Sequence, residues 1–149
     1  MIPVRHLLIV DDNPADINLA REALKECAPT CQIHSVQDGM EALAFLERRG
    51  NYSDVVRPDL VILDLNLPKR GGLAVLAAIK AGPDLRCIPV IIFSTSQLSP
   101  DIIRSYELGA NCYVCKPGNL TDFFAAMKSI EQFWFVFASL PPRGEGIKQ

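Results

Sequence analysis

Asp11, Asp12, Asp64, Ser94 and Lys116 are the residues of this 149-residue chain best placed by type and spacing to do chemistry together. Each follows an apolar run. Leu7-Leu8-Ile9-Val10 leads into Asp11-Asp12, Leu60-Val61-Ile62-Leu63 into Asp64, Pro89-Val90-Ile91-Ile92-Phe93 into Ser94, and Cys112-Tyr113-Val114-Cys115 into Lys116. Three carboxylates held close together raise one another's pKa. A hard divalent cation relieves that, and Mg²⁺ takes one or two carboxylates with carbonyl oxygen and water. A lysine and a hydroxyl beside such a site suit phosphoryl oxygens. Singly, each residue reads as a polar turn former. Their recurrence at successive strand ends points to one site.

The elements that must position them alternate in type. The run before Asp64 has no polar alternation, which marks a strand buried on both faces, and the run before Ser94 has the same character. Cys31 to Val36 alternates and reads as a strand nearer an edge. Between the strands, helical spacing appears at Ile17, Ala20 and Leu24, at Met40, Leu43, Ala44 and Leu46, and at Leu73, Leu76, Ala77 and Lys80. Ser99-Pro100 predicts a fourth helix, with Ser99 as N-cap and Pro100 in the first position. Leu120 to about Leu140 predicts a fifth, with Phe123, Met127, Ile130, Trp134 and Phe137 as its core stripe. Five strands alternating with five helices predict a doubly wound parallel α/β sheet with helices on both faces. The strands' carboxyl ends then share one edge, where open α/β sheets bind ligands.

Composition sets bounds. A net charge of −2 argues against a nucleic-acid partner. No stretch approaches a membrane span, and the N-terminus reads as strand rather than signal peptide. Five cysteines fit a reduced, cytoplasmic protein better than a disulfide framework. Residues 1–140 read as one domain. Residues 141–149 read as a disordered tail, with no room for an effector domain.

Leu8-Ile9-Val10-Asp11-Asp12-Asn13, Leu63-Asp64-Leu65-Asn66-Leu67-Pro68, Ser94-Thr95-Ser96 and Cys115-Lys116-Pro117 resemble the receiver domain of two-component response regulators. The resemblance runs from residue 6 to about 138. It implies the flavodoxin-like (CheY-like) five-stranded sheet of order 2-1-3-4-5. It also implies that Asp64 accepts a phosphoryl group from a sensor histidine kinase. Asp12, Asp64 and the backbone carbonyl of Asn66 would hold Mg²⁺, with Asp11 acting largely through water. Lys116 would contact the acyl phosphate and Ser94 a phosphoryl oxygen, while Ser94 and Tyr113 would form the switch, Tyr113 moving inward after it. The chain would be a phosphoacceptor rather than an enzyme with a separate substrate. Ser105-Tyr106-Glu107-Leu108, Ala110-Asn111-Cys112-Tyr113 and Phe133-Trp134-Phe135 are similar to the small regulators that partner bacterial and cyanobacterial phytochromes. Gly71, where receivers more often carry an acidic or large residue, is a departure expected to loosen the loop after Asp64.

Two rivals are weaker. Aspartate-nucleophile hydrolases of the haloacid dehalogenase type need a second Asp two residues after the first, and Asn66 cannot donate that proton. A phosphate-independent scaffold has no need of Asp64 and Lys116. Cys112 and Cys115, three apart on a strand, face opposite ways and make no metal pair. His6 and His34 read as packing or solvent-facing residues, and Met40 and Met127 as core. With no effector, the signal must leave through the receiver's own surface. Phe133, Phe135 and Val136 exceed the core stripe, which predicts a homodimer through helix 4, strand 5 and helix 5, with Phe133 and Phe135 in contact.

Overall fold

The computed structural model describes residues 4–27 and 30–142. Five parallel strands, β1 (Arg5–Val10), β2 (Cys31–Val36), β3 (Leu60–Leu63), β4 (Val90–Ser94) and β5 (Cys112–Cys115), lie in the order β2-β1-β3-β4-β5. Between and after them run α1 (Pro14–Ala23), α2 (Gly39–Leu46), α3 (Gly72–Ala81), α4 (Ser99–Glu107) and α5 (Leu120–Gln132). The unbroken apolar runs are the inner strands. Every residue of β3 and β4 is buried, whereas β2 and β5, at the edges, are only partly covered.

Both faces carry a core, as a doubly wound sheet requires. Alternate side chains decide which core each strand residue joins. Leu8, Val10, Val61, Leu63, Val90 and Ile92 meet Leu43, Leu46, Val75, Leu76 and Ile79 of α2 and α3. Leu7, Ile9, Leu60, Ile62, Ile91 and Phe93 meet Ile17 and Ala20 of α1 and Phe123, Met127 and Ile130 of α5. Each fully buried Leu, Ile or Val contributes about 1.5–3 kcal/mol of transfer free energy.

Helix starts follow local chemistry. The Asn13 side chain accepts from the amides of Ala15 and Asp16, and Pro14 occupies the first turn. Asp38 caps α2 through the Glu41 amide, and Asn119 caps α5 through that of Asp122. α4 departs from expectation. Its N-cap is Leu98, with no side-chain cap bond, and Ser99 is already helical. Ser96 supplies the missing polar partner, its Oγ accepting from the Leu98 amide at 3.3 Å and donating to Asp101 at 2.6 Å.

Two further expectations are corrected, and the packing expected of His6 and His34 is found. Met40 is 59% exposed, because the Leu43, Phe45 and Leu46 side of α2 faces the sheet. His6 and His34 are partners on neighbouring strands, their ring nitrogens 3.1 Å apart. The last helix does not run regularly to Leu140. It gives way at Phe133–Phe137 to a π-helical turn, in which the Ala138 amide donates to the Phe133 carbonyl at 2.7 Å. The wider turn slips the helical phase. Trp134 and Phe135 therefore both pack on the α1/α5 core, while Phe137, assigned to the stripe, is 72% exposed. Phe133 stays 54% exposed. Of the expected tail, Pro141 and Pro142 lie beside Pro58, Ile88 and Pro89, and residues 143–149 lie outside the described residues.

Candidate functional site

Main-chain bonds carry the functional residues one step beyond the sheet. The Asp11 amide donates to the Val36 carbonyl, the Asp64 amide to Val10 and the Lys116 amide to Ser94, at 3.1, 2.9 and 2.8 Å. Because Val10 is in register with Leu63, Asp11 and Asp64 emerge side by side. Asp12 completes the group. One carboxylate oxygen from each of Asp11, Asp12 and Asp64 falls within 4.8 Å of the others. Asp11 and Asp64 are only 4% and 6% exposed, while Asp12 faces solvent.

Lys116 reaches into this group from β5. Its Nζ donates to Asp11 Oδ2 at 2.7 Å, to Asp16 Oδ2 at 2.8 Å and to Asp64 Oδ2 at 3.0 Å. An ammonium has three N–H donors, so all three are used. The remaining oxygens of the two buried acids also have partners. Asp11 Oδ1 accepts from the Asn13 amide at 2.9 Å and Asp64 Oδ1 from the Asn66 amide at 3.2 Å.

Charge and burial compete here with different outcomes on the two sides of one ion pair. For Lys116, burial favours the neutral amine, but the bonds to Asp11, Asp16 and Asp64 outweigh it and hold the ammonium above the usual lysine range. For Asp11, burial is the largest influence and pushes the carboxyl up, with the nearby Asp64 charge adding to it. The bonds from Lys116 and the Asn13 amide offset only part of that rise.

Ser94 is fully buried at the end of β4, its Oγ accepting from the Ser96 amide at 3.3 Å. Tyr113 is half-buried against the α2/α3 core, and its hydroxyl donates to the Ser96 carbonyl at 2.8 Å. Asn66 is exposed beside Asp64. Phe133 and Phe135 are remote from the acids, at the far end of α5.

Gly72 fixes the loop after Asp64. A side chain there would run into the Asp64 carbonyl and the Leu65 backbone, whereas Gly71 has open space and an ordinary φ of −66°. Gly71 thus needs no glycine for space or for φ in this conformation. The loop's unusual backbone is at Lys69 and Arg70, with φ of 52° and 101°.

Residues 7–128 match the response regulator receiver domain family. The chain belongs to that family. Response regulator Rcp1 of Synechocystis is 45% identical over 139 residues, covering 93% of this chain and 95% of the relative. The probable methanogenesis regulatory protein FilR2 of Methanothrix harundinacea is 34% identical over 86% of this chain and 82% of its own. The phosphorylated cyanobacterial phytochrome response regulator RcpA superposes with a TM-score of 0.91 at 47% identity, covering 93% of this chain and 99% of that one. The Mn²⁺-bound form of Rcp1 superposes at 0.89 with 44% identity over the same shares.

Accepting a phosphoryl group on aspartate is the general work of receivers, and a receiver's acid cluster takes a divalent metal. The donor set here fits one: oxygen atoms only, two buried carboxylates and one open to solvent. Sequence reasoning did not single out Asp16. An acid in the first turn of a helix reads as a partner of the helix dipole. Its reach to Lys116, 100 residues away, appears only in the fold.

Proposed function

We propose that Asp64 is the phosphoacceptor of a histidine-kinase relay, that the supporting cation is Mg²⁺, and that the donor is a phytochrome-type kinase. The observation that carries this reading is the convergence of Lys116 Nζ on Asp11 and Asp64, beside an exposed Asp12, at one edge of the sheet. An Asp64 oxygen attacks the phosphorus of a phosphohistidine. The O–P bond forms as the N–P bond breaks, and the electron pair leaves on the imidazole nitrogen, which takes up a proton. Asp11, Asp12, Asp64 and the Asn66 carbonyl would hold Mg²⁺, which supplies charge neutralisation for the phosphoryl oxygens. Lys116 supplies a fixed positive charge on the same group, and Ser94 a hydroxyl for one of its oxygens.

The names of RcpA and other phytochrome response regulators among the similar structures support a phytochrome-type donor. No helix among the described residues is long and apolar enough to cross a membrane, which is compatible with a cytoplasmic site of action. For output we propose a homodimer through α4, β5 and α5, where Leu98, Ile103, Tyr106 and Phe133 are exposed.

Incubation with acetyl phosphate and Mg²⁺, followed by intact-mass measurement, tests the site. The expected result is a gain of one phosphoryl mass that is absent in Asp64→Asn and in EDTA. An Asp64→Asn protein labelled at the wild-type rate overturns it.

A further inference from the structure

We infer that Asp16 is a positioning residue for phosphoryl transfer, acting through the ammonium of Lys116. The inference rests on the reading of Asp64 as phosphoacceptor and adds a residue to that site.

Three acceptors hold Lys116, and two of them change during the reaction. Asp64 gives up an oxygen to the acyl phosphate, and its 3.0 Å bond is the longest of the three. Asp11 belongs to the carboxylate group suited to the cation. Asp16 stands outside that group and touches Lys116 at 2.8 Å. It is the one partner whose charge and place neither the cation nor the phosphoryl group claims. It can therefore keep the ammonium in the site while the third N–H passes from Asp64 to a phosphoryl oxygen.

The sequence builds Asp16 to do this. It lies in the first turn of α1, and its amide donates to the capping Asn13 Oδ1 at 3.3 Å. That fixes the backbone under the carboxylate. The ion pair is shielded, with the Lys116 side chain 5% exposed and that of Asp16 22%. A charge pinned in advance needs no reorganisation as the transition state forms. Asp16 has one opposing effect, since its negative charge repels an anionic phosphodonor. A direct bond to Lys116 is a shorter-range interaction than that repulsion. Loss of Asp16 should therefore slow transfer.

The experiment follows phosphorylation of the full chain by phosphoramidate at saturating Mg²⁺, by intact mass, for wild type and for Asp16→Ala, Asp16→Asn and Asp16→Glu. Removing one preorganising contact predicts a rate on the order of tenfold lower for Asp16→Ala. Asp16→Asn, which keeps a hydrogen-bond acceptor but not the charge, should fall between, and Asp16→Glu should recover most of the rate. Mg²⁺ affinity measured by calorimetry should stay at the wild-type value. The ¹⁵N signal of the Lys116 ammonium, slowed in exchange by its three acceptors, should be lost in Asp16→Ala and return in Asp16→Glu. An Asp16→Ala protein as fast as wild type, or faster, overturns the inference. So does a rate loss accounted for by weaker Mg²⁺ binding. A wild type that takes up no phosphoryl group refutes the reading beneath it, whatever the variants do.

Discussion

The hydroxyl of Tyr113 donates to the main-chain carbonyl of Ser96 at 2.8 Å, and so joins β5 to the loop that follows Ser94. Ser96 is committed on every side. Its amide donates to Ser94 Oγ, its Oγ donates to Asp101 on α4, and its carbonyl also lies 3.7 Å from Cys115 Sγ. The Tyr113 amide in turn donates to Tyr106 Oη on α4 at 3.1 Å. A movement of Ser94 toward a phosphoryl oxygen would therefore reach α4 through Ser96. Tyr113, expected to move inward with Ser94, is half-buried here with its hydroxyl on that loop.

Tyr113→Phe removes one hydrogen bond from a half-buried ring and should cost about 1 kcal/mol of stability in urea denaturation. Labelling of Asp64 should continue at the wild-type rate, while the response of α4 amides to beryllofluoride becomes smaller. Unchanged α4 shifts in the variant would remove Tyr113 from the path.

Mg²⁺ should stabilise the fold, because the unfolded chain has no acid cluster to bind it. A ligand at one hundred times its Kd adds about 2.7 kcal/mol. The midpoint of thermal unfolding should rise with added Mg²⁺ and fall back with EDTA. Asp12→Asn should lose most of the rise. Lys116→Ala should keep it, since the lysine is not a ligand, yet fail to pass phosphorylation on to α4.

In EDTA the same residues set a pH dependence. The ammonium of Lys116 is held above the ordinary lysine value of 10.5, burial opposing and the three carboxylates outweighing it. Its folded pKa thus exceeds the unfolded one. That contribution is complete below the unfolded value and is lost as pH climbs through the folded one. Wild type should lose stability in this range, and Lys116→Gln should lack that loss. Asp11 is also raised, first by burial, so its protonated form is favoured by folding. Stability falls as pH rises past the ordinary aspartate value of 3.8. Asp11→Asn should therefore unfold at higher urea than wild type at neutral pH without metal.

The two glycines after Asp64 should behave differently. Gly71→Ala fits open space at an ordinary φ and should be close to neutral, a gain of about 0.4–1 kcal/mol through the unfolded chain being offset by alanine's poorer fit as the N-cap of α3. Gly72→Ala drives a methyl group into the Asp64 carbonyl, so it should lower stability and slow labelling of Asp64. Equal effects from the two would contradict the close approach.

Much of this fold was legible because burial writes itself into the sequence. Leu60 to Leu63 and Val90 to Phe93 are apolar throughout because both faces of those strands are covered, and their last residues had to be where the site lies. Cys31 to Val36 alternates because β2 is an edge. What escaped reading depends on contacts between distant elements. Asp16 looks like a first-turn acid until β5 brings Lys116 to it. Met40 has the type and spacing of a core residue, but α2 turns its Leu43 and Leu46 side inward. The π-turn carries no residue signature in Phe133 to Phe137, so a regular helical period was carried one turn too far.

That slipped period decides the last prediction. A regular α5 would have left Phe135 free for a partner and kept Phe137 in the core. The turn instead packs Phe135 on this chain's own core and exposes Phe137. Phe133 remains outside, edge-on to Trp134 with ring centroids 5.3 Å apart. With Val136 at 62% exposure and Phe137 at 72%, it forms an apolar end to α5 of the kind that marks an interface. The two substitutions should therefore separate. Phe135→Ala should lower stability by about 2 kcal/mol and change self-association little. Phe133→Ala with Phe137→Ala should leave unfolding almost unchanged and weaken the dimer. Sedimentation of wild type and both variants, with and without beryllofluoride, measures the second effect, and urea denaturation the first. A wild type that stays monomeric in both states at tens of micromolar, roughly the range of a weak interface of standard size, would end the dimer proposal while leaving the stability difference to be judged separately.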